Sequence, residues 1–211
     1  LTVSTFTISG SKPVLAQVTA VPTPTNDNTS LNYTFSSTKP GTITYGGSCS
    51  SDNTSTLDNG TGNIIFNALA DGTYSNCTIQ VTDTDNKTSD NLSVSSFTID
   101  TVKPALAQVT AVADNASDST PSYTFSSTES GTILSSGSCS SSNSNASTGN
   151  NTISFNQLAD GTYSNCKISV RDSAGNTSDN LTVSTFTISG SKPVLAQVTA
   201  VPTPTNDNTS L

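Results

Sequence analysis

The chain has 211 residues with a formal charge of −8 (7 basic against 15 acidic); 31% of it is hydrophobic and 6% aromatic, and it contains no His, Trp or Met. Without His, the commonest general base and metal ligand is missing. The few basic residues, thinly spread, form no patch that would neutralise phosphates, and no run of 18 apolar residues exists to span a bilayer.

Ser and Thr supply 75 residues, 38 and 37 respectively. Such low apolar content raises disorder as an outcome, but low charge and ordered alternation favour a folded chain. In chain order, period-two segments separated by Gly, Pro, Asn and Asp clusters predict strands. The first covers Val14–Val21. The second covers Leu31–Thr38, with Leu31, Tyr33 and Phe35 on one face. The third covers Thr42–Cys49, with Ile43 inward. A polar stretch, Ser50–Gly62, follows and is a candidate weak edge strand. Next come Asn63–Leu69, with Ile64 and Phe66 inward, and Thr73–Thr82, with Cys77, Ile79 and Val81 inward. The last strand is Asn91–Ile99, whose inward set changes parity between Val94 and Phe97; this predicts a β-bulge near Ser95 and Ser96. Six or seven short strands in about 90 residues predict an all-β, antiparallel Greek-key sandwich. The turn Leu69-Ala70-Asp71-Gly72-Thr73-Tyr74 places Tyr74 where a tyrosine corner pins two strands, and Leu158–Tyr163 places Tyr163 alike.

The pattern repeats. Residues 1–31 recur unchanged at 181–211, and a diverged copy of 1–21 lies at 92–112. YTFSST at 33–38 returns at 123–128, and LADGTYSNC at 69–77 returns at 158–166. Two variants of a unit of about 90 residues therefore alternate. The expected division is 1–12, the last strand of a preceding repeat; 13–102, the first repeat; 103–192, the second; and 193–211, the start of a following one. The chain begins with Leu, shows no signal peptide, and reads as a window from a longer array.

The segments LADGTYSNC, VTDTDN or VRDSAGN, FTID and KP resemble the bacterial immunoglobulin-like tandem repeats of giant extracellular surface proteins. Val170–Ser178 fits that family's Asp-x-Ala-Gly-Asn-x-Ser loop well; Val81–Ser89 departs from it, with Thr84, Asp85 and Lys87. The resemblance implies immunoglobulin-like domains in a linear array, serving as stalks of adhesins and biofilm proteins, often stiffened by calcium between domains.

Each unit holds one pair of cysteines at equivalent positions. Four cysteines allow three pairings, and the repeat selects Cys49–Cys77 and Cys139–Cys166. Each bond would tie neighbouring strands of one sheet at one pole of its domain. Zinc is disfavoured by two Cys per unit with no His and no C-x-x-C, and a catalytic thiol by the absence of an accompanying base. Paired cysteines on an acidic, hydroxyl-rich chain predict an extracellular setting.

At the junction between units, Asp27, Asp71 and Asp100 are expected to approach Asp172 of the next unit, a candidate calcium site since hard cations take six to eight oxygens. Asp is also a common turn residue, and the other linker, Ser189-Gly190-Ser191, lacks the carboxylate. No cofactor is required. Asn-x-Ser/Thr occurs at many places, Asn32, Asn53, Asn115 and Asn145 among them, as expected by chance in this composition.

The expected function is a disulfide-stabilised spacer in a long extracellular stalk, fibre or adhesin. Its partners would be neighbouring repeats and lateral copies, with no nucleic acid and no membrane insertion. The alternative is a binding module for a glycan or protein receptor, with Ser50–Gly62 as the candidate contact loop. No constellation of carboxylates or nucleophiles supports an enzyme.

Overall fold

The computed structural model describes residues 10–54 and 60–190. Every element among them is a strand, and no helix is long and apolar enough to cross a membrane. The flanking pieces expected over 1–12 and 193–211 lie, except for residues 10–12, outside the described residues.

The first sandwich contains β1 (Leu15–Thr19), β2 (Leu31–Ser37), β3 (Thr42–Gly46), β4 (Gly60–Phe66), β5 (Gly72–Tyr74), β6 (Thr78–Thr82), β7 (Leu92–Ser93) and β8 (Phe97–Ile99). One sheet has the order β1-β2-β4; the other has β3-β6-β7, continued by the pair β5-β8. The chain thus changes sheet between β2 and β3, again between β3 and β4, and again after β4. All ladders are antiparallel, giving an immunoglobulin-like Greek-key sandwich.

The second sandwich repeats this plan with β9 (Leu106–Thr110), β10 (Ser122–Ser127), β11 (Gly131–Ser136), β12 (Asn145–Ala146), β13 (Gly149–Ser154), β14 (Gly161–Tyr163), β15 (Lys167–Arg171), β16 (Leu181–Thr182) and β17 (Phe186–Ile188). Its sheets are β9-β10-β13 and β12-β11-β15-β16, with the pair β14-β17. The short strand β12 falls inside the polar stretch that follows the third strand, and it pairs with β11.

Alternation explains the cores. On β2, Leu31, Tyr33, Phe35 and Ser37 are buried and the residues between them are not. Ile64 and Phe66 of β4, Ile79 and Val81 of β6, and Phe97 and Ile99 of β8 complete the cluster. A second, separate cluster fills the other sandwich around Tyr123, Phe125, Phe155, Ile168 and Phe186. In each, five rings form a column between the sheets. In the first, Phe97 stacks on Tyr74 at 5.4 Å and on Phe66 at 6.4 Å, and Tyr33 links Phe66 to Phe35. In the second, Phe186 stacks on Tyr163 at 5.3 Å and on Phe155 at 6.1 Å, and Tyr123 joins Phe155 to Phe125.

Two sequence expectations are corrected. Thr73–Thr82 and Asn91–Ile99 are not continuous strands; each splits, into β5 and β6 and into β7 and β8. The β-bulge placed at Ser95 and Ser96 is absent. Tyr74 pairs with Phe97 on one side of the gap and Thr78 with Ser93 on the other, in the same register, so neither strand carries an extra residue. The gap opens because the Ser95 amide turns away to the side-chain oxygen of Gln17, at 3.1 Å. The register does shift on the first strand, between Gln17 and Thr19, and again in the second sandwich between β10 and β9.

The outer edge of β4 is covered by side chains from the preceding loop. Ser51 Oγ donates to the Ile65 carbonyl at 2.6 Å, and Asn53 Nδ2 to the Asn63 carbonyl at 3.3 Å. In the second sandwich Ser141 Oγ donates to the Ser154 carbonyl at 2.8 Å, while Asn143 Oδ1 accepts from the Ser154 amide at 3.1 Å.

Candidate functional site

Cys49 lies three residues beyond β3 and Cys77 just before β6, neighbouring strands of one sheet. A disulfide joins them across a Cα–Cα distance of 5.2 Å, and another joins Cys139 to Cys166 across 5.1 Å. Both pairs are buried. The chain reaches Cys49 through Gly47, whose φ is 74°. A Cβ there would lie 2.0 Å from the Asn76 carbonyl oxygen, so only glycine lets the turn close over that peptide. Asn76 Oδ1 then accepts from the Ser48 amide at 3.2 Å, and Asn165 Oδ1 accepts from the Ser138 amide at 3.1 Å.

Three residues before the bonded cysteine of each unit, at the same end of the sandwich, the Tyr74 hydroxyl donates to the Ala70 carbonyl at 2.8 Å, and the Tyr163 hydroxyl to the Ala159 carbonyl at 2.9 Å. Each tyrosine therefore fixes the turn that precedes its own strand. Tyr163→Phe keeps the ring stack and deletes that bond. The expected cost is about 1 kcal/mol, measured by urea unfolding; an unchanged midpoint would mean that the ring alone holds the corner.

The joint between the sandwiches is built from the loop after β1, the residue after β8, and two loops of the second sandwich. Asn26 N donates to the Ala174 carbonyl at 3.1 Å. Asn176 Nδ2, on a residue 7% exposed, donates to the Asp100 carbonyl at 2.8 Å and to Asp172 Oδ2 at 2.9 Å. Asp172 Oδ1 in turn accepts from the Gly175 and Asn176 amides at 2.7 and 2.9 Å, which shapes the loop that reaches across.

Of the four aspartates expected here, the structure brings together two. Asp100 and Asp172 converge with Glu129, their carboxylate oxygens within 4.8 Å of one another. Asp27 instead closes its own turn, accepting from the Thr29 and Ser30 amides at 3.0 and 2.8 Å; these bonds hold its carboxyl below the usual value of 3.8. Asp71 accepts from the Thr101 amide and hydroxyl at 3.1 and 2.9 Å. Asp27 thus serves a turn, the ordinary use of Asp, whereas Asp71 ties the turn before β5 to the linker residue Thr101, 30 positions away.

Sequence reasoning missed Glu129, and the signal was in the repeat alignment. Ser37-Thr38-Lys39 corresponds to Ser127-Thr128-Glu129. In the first sandwich Lys39 Nζ binds Asp83 Oδ2 at 2.9 Å, and that bond leads the causes holding the Asp83 carboxyl below its usual value. In the second, a carboxylate replaces the ammonium beside the equivalent Asp172. Desolvation, followed by the charges of Asp100 and Asp172, pushes the Glu129 carboxyl up. Three converging carboxylates offer hard oxygens, of which calcium takes six to eight, and a lysine ammonium stands at the equivalent place in the sister sandwich.

A second candidate surface is an open depression of about 560 Å³ beside the loop after β3, bordered by Ser51, Asp52, Asn53, Asn63 and Asn67.

No family model matches the sequence, and no curated protein matches it. Among solved structures, the chain is similar to the fibronectin(III)-like modules of CbhA from Clostridium thermocellum, with 11% identity, a TM-score of 0.45, and coverage of 83% of this chain and 94% of that chain.

Proposed function

We propose that this chain is a disulfide-stabilised spacer segment of a long extracellular stalk, fibre or adhesin, without enzymatic activity of its own. The observation that carries the reading is the joint. Consecutive sandwiches are held by bonds from Asn26 to Ala174 and from Asn176 to Asp100, which suits a shaft better than loosely tethered beads. Pro104 stiffens the short connection. The paired cysteines and hydroxyl-rich, weakly charged surface support an oxidising, extracellular setting. Each repeat should advance the shaft by about 35–45 Å, since eight strand residues span roughly 26 Å and loops add to both ends. Small-angle scattering of the chain tests this: an elongated particle of two such steps is expected, and a compact one overturns the spacer.

The open depression beside the loop after β3, where Asp52, Asn53 and Asn67 border Ile65 and Phe66, carries the competing reading, a glycan- or protein-binding module. Saturable binding on a glycan array or to cells would favour it.

Calcium at Asp100, Glu129 and Asp172 belongs to the same proposal as a stiffener of the joint. A ligand at about 100 times its Kd adds about 2.7 kcal/mol of stability. Melting in calcium against chelator should therefore raise Tm by several degrees. Glu129→Lys, which brings in the ammonium that Lys39 supplies in the first sandwich, should abolish the response. Equal melting in calcium and chelator removes the metal.

A further inference from the structure

The residues that join one sandwich to the next differ between the two kinds of joint, although the two cores are built alike. Between the described sandwiches, the linker Asp100-Thr101-Val102 is tied down by side chains. Thr101 donates to Asp71 Oδ1 twice, through its amide at 3.1 Å and its hydroxyl at 2.9 Å. Asp100 Oδ1 accepts from the Val102 amide at 3.1 Å. A loop of the second sandwich then reaches back across the joint. There the Ala174 carbonyl accepts from the Asn26 amide at 3.1 Å, and Asn176 Nδ2 donates to the Asp100 carbonyl at 2.8 Å. Gly175 stands against Asn26, where a Cβ on it would lie 3.5 Å from Asn26 Nδ2.

The parts of the other joint are the linker that follows the second sandwich and the loop at the entrance of the first. In that linker Ser189, Gly190 and Ser191 replace Asp100, Thr101 and Val102. Gly190 N still donates to Asp160 Oδ1, at 2.9 Å, but glycine has no hydroxyl to add a second bond, and Ser189 carries no carboxylate. Glycine also leaves the linker more backbone freedom than threonine does. In the entrance loop, Asp83 Oδ1 accepts from the Asp85 and Lys87 amides at 3.0 and 2.8 Å, the scaffold that Asp172 gives the second loop. The tip is different: Asp85, Asn86 and Lys87 stand where Ala174, Gly175 and Asn176 meet the neighbouring sandwich. A lysine has no carboxamide to offer, and fixing its long stem costs rotamer entropy.

We propose that the two joints alternate in stiffness: the joint at Asp100 is a lock, made by Thr101 and Asn176, and the joint at Ser189-Gly190 is a hinge. This rests on the spacer reading, in which the two kinds of unit follow one another along a shaft. Bending is then confined to every second joint. The mechanical unit is a stiff rod of two sandwiches, about 70–90 Å long, and the shaft flexes between rods without giving way at every step. The corner tyrosines make the same bond in both units, whereas the joint residues differ, because they decide which joint each unit makes.

Native-state hydrogen exchange of the full chain tests the lock directly, in chelator so that no cation contributes. The Asn26 amide has its acceptor on the other sandwich, so it exchanges only while the joint is open. Its neighbour Thr25 donates within the first sandwich, to the Thr98 carbonyl, and serves as the control. In the wild type the Asn26 amide should be protected. Thr101→Gly, which copies the hinge linker, and Asn176→Ala, which deletes the donor that crosses the joint, should each lower that protection about fivefold, the worth of one hydrogen bond. Together they should lower it about 25-fold if they act independently. Thr101→Ser keeps the hydroxyl and should keep the protection; a fall there overturns the role given to that hydroxyl. A wild-type Asn26 amide that exchanges as fast as an unbonded one overturns the lock. So does unchanged protection in the double variant, or a loss that Thr25 shares, since the sandwich and not the joint would then be opening. Residual dipolar couplings should fit one alignment frame for both sandwiches in the wild type and two in the double variant; a single frame in both overturns the hinge. A compact particle in scattering with Asn26 protected would sink the spacer and leave the lock, whereas an elongated particle with Asn26 unprotected would do the reverse.

Discussion

Reduction of the two disulfides, or replacement of each pair by alanine, is expected to lower the stability of each sandwich by about 3–4 kcal/mol. The chain-entropy model gives this for closed loops of 28 and 27 residues. Against a total of about 5–10 kcal/mol for a small domain, that is a large share. The corresponding fall in Tm is roughly 15–25 °C for domains of this size. The effect should be local, because the two buried clusters are separate: Cys139→Ala/Cys166→Ala should lower one melting transition and leave the other. Calorimetry with and without reductant decides it. A Tm that moves by less than about 3 °C would mean that the packing of the sheets, not the cross-link, sets the stability of these domains.

A comparable loss should follow from breaking the ring column. Phe155 is 1% exposed and lies between Tyr123 and Phe186, at 6.1 Å from each. Phe155→Ala removes the middle ring and leaves a cavity between the sheets, at a cost of about 3–5 kcal/mol. In a core with so few large side chains, neighbours have little to collapse with. Denaturant unfolding should show the midpoint of the second sandwich falling sharply with the first unmoved. A cost under about 1 kcal/mol would mean that Phe186 and Tyr123 close the gap between them.

The strands were legible because one face of each is buried and the side-chain period is two. Leu31, Tyr33 and Phe35 could be assigned to a face from spacing alone, and the structure buries all three. The fate of Ser95 was not legible. Its amide bonds a glutamine 78 positions away, and no local pattern reports a partner that distant. The parity change between Val94 and Phe97 was real, but it marked a break in pairing rather than an inserted residue. At the joint, Asp100 and Asp172 follow from loop position, whereas Asp27 and Asp71 find nearer amides and hydroxyls first. Asp27 completes its own turn at little entropic cost, and Asp71 is taken up by the amide and hydroxyl of Thr101 in the linker. Glu129 needed the comparison of equivalent places in the two repeats, where the sign of a charge reverses.

The covered margin of β4 and β13 has a consequence for crowding. Backbone oxygens that would invite a strand from another molecule are already occupied by Ser51, Asn53 and Ser141. Exposed sheet margins are the usual route to fibrous aggregation. Molecules of this kind packed densely side by side would meet along that flank through amide and hydroxyl groups whose bonding is satisfied within each molecule. They could slide past one another without fusing into a common sheet, as a brush of separate bristles requires.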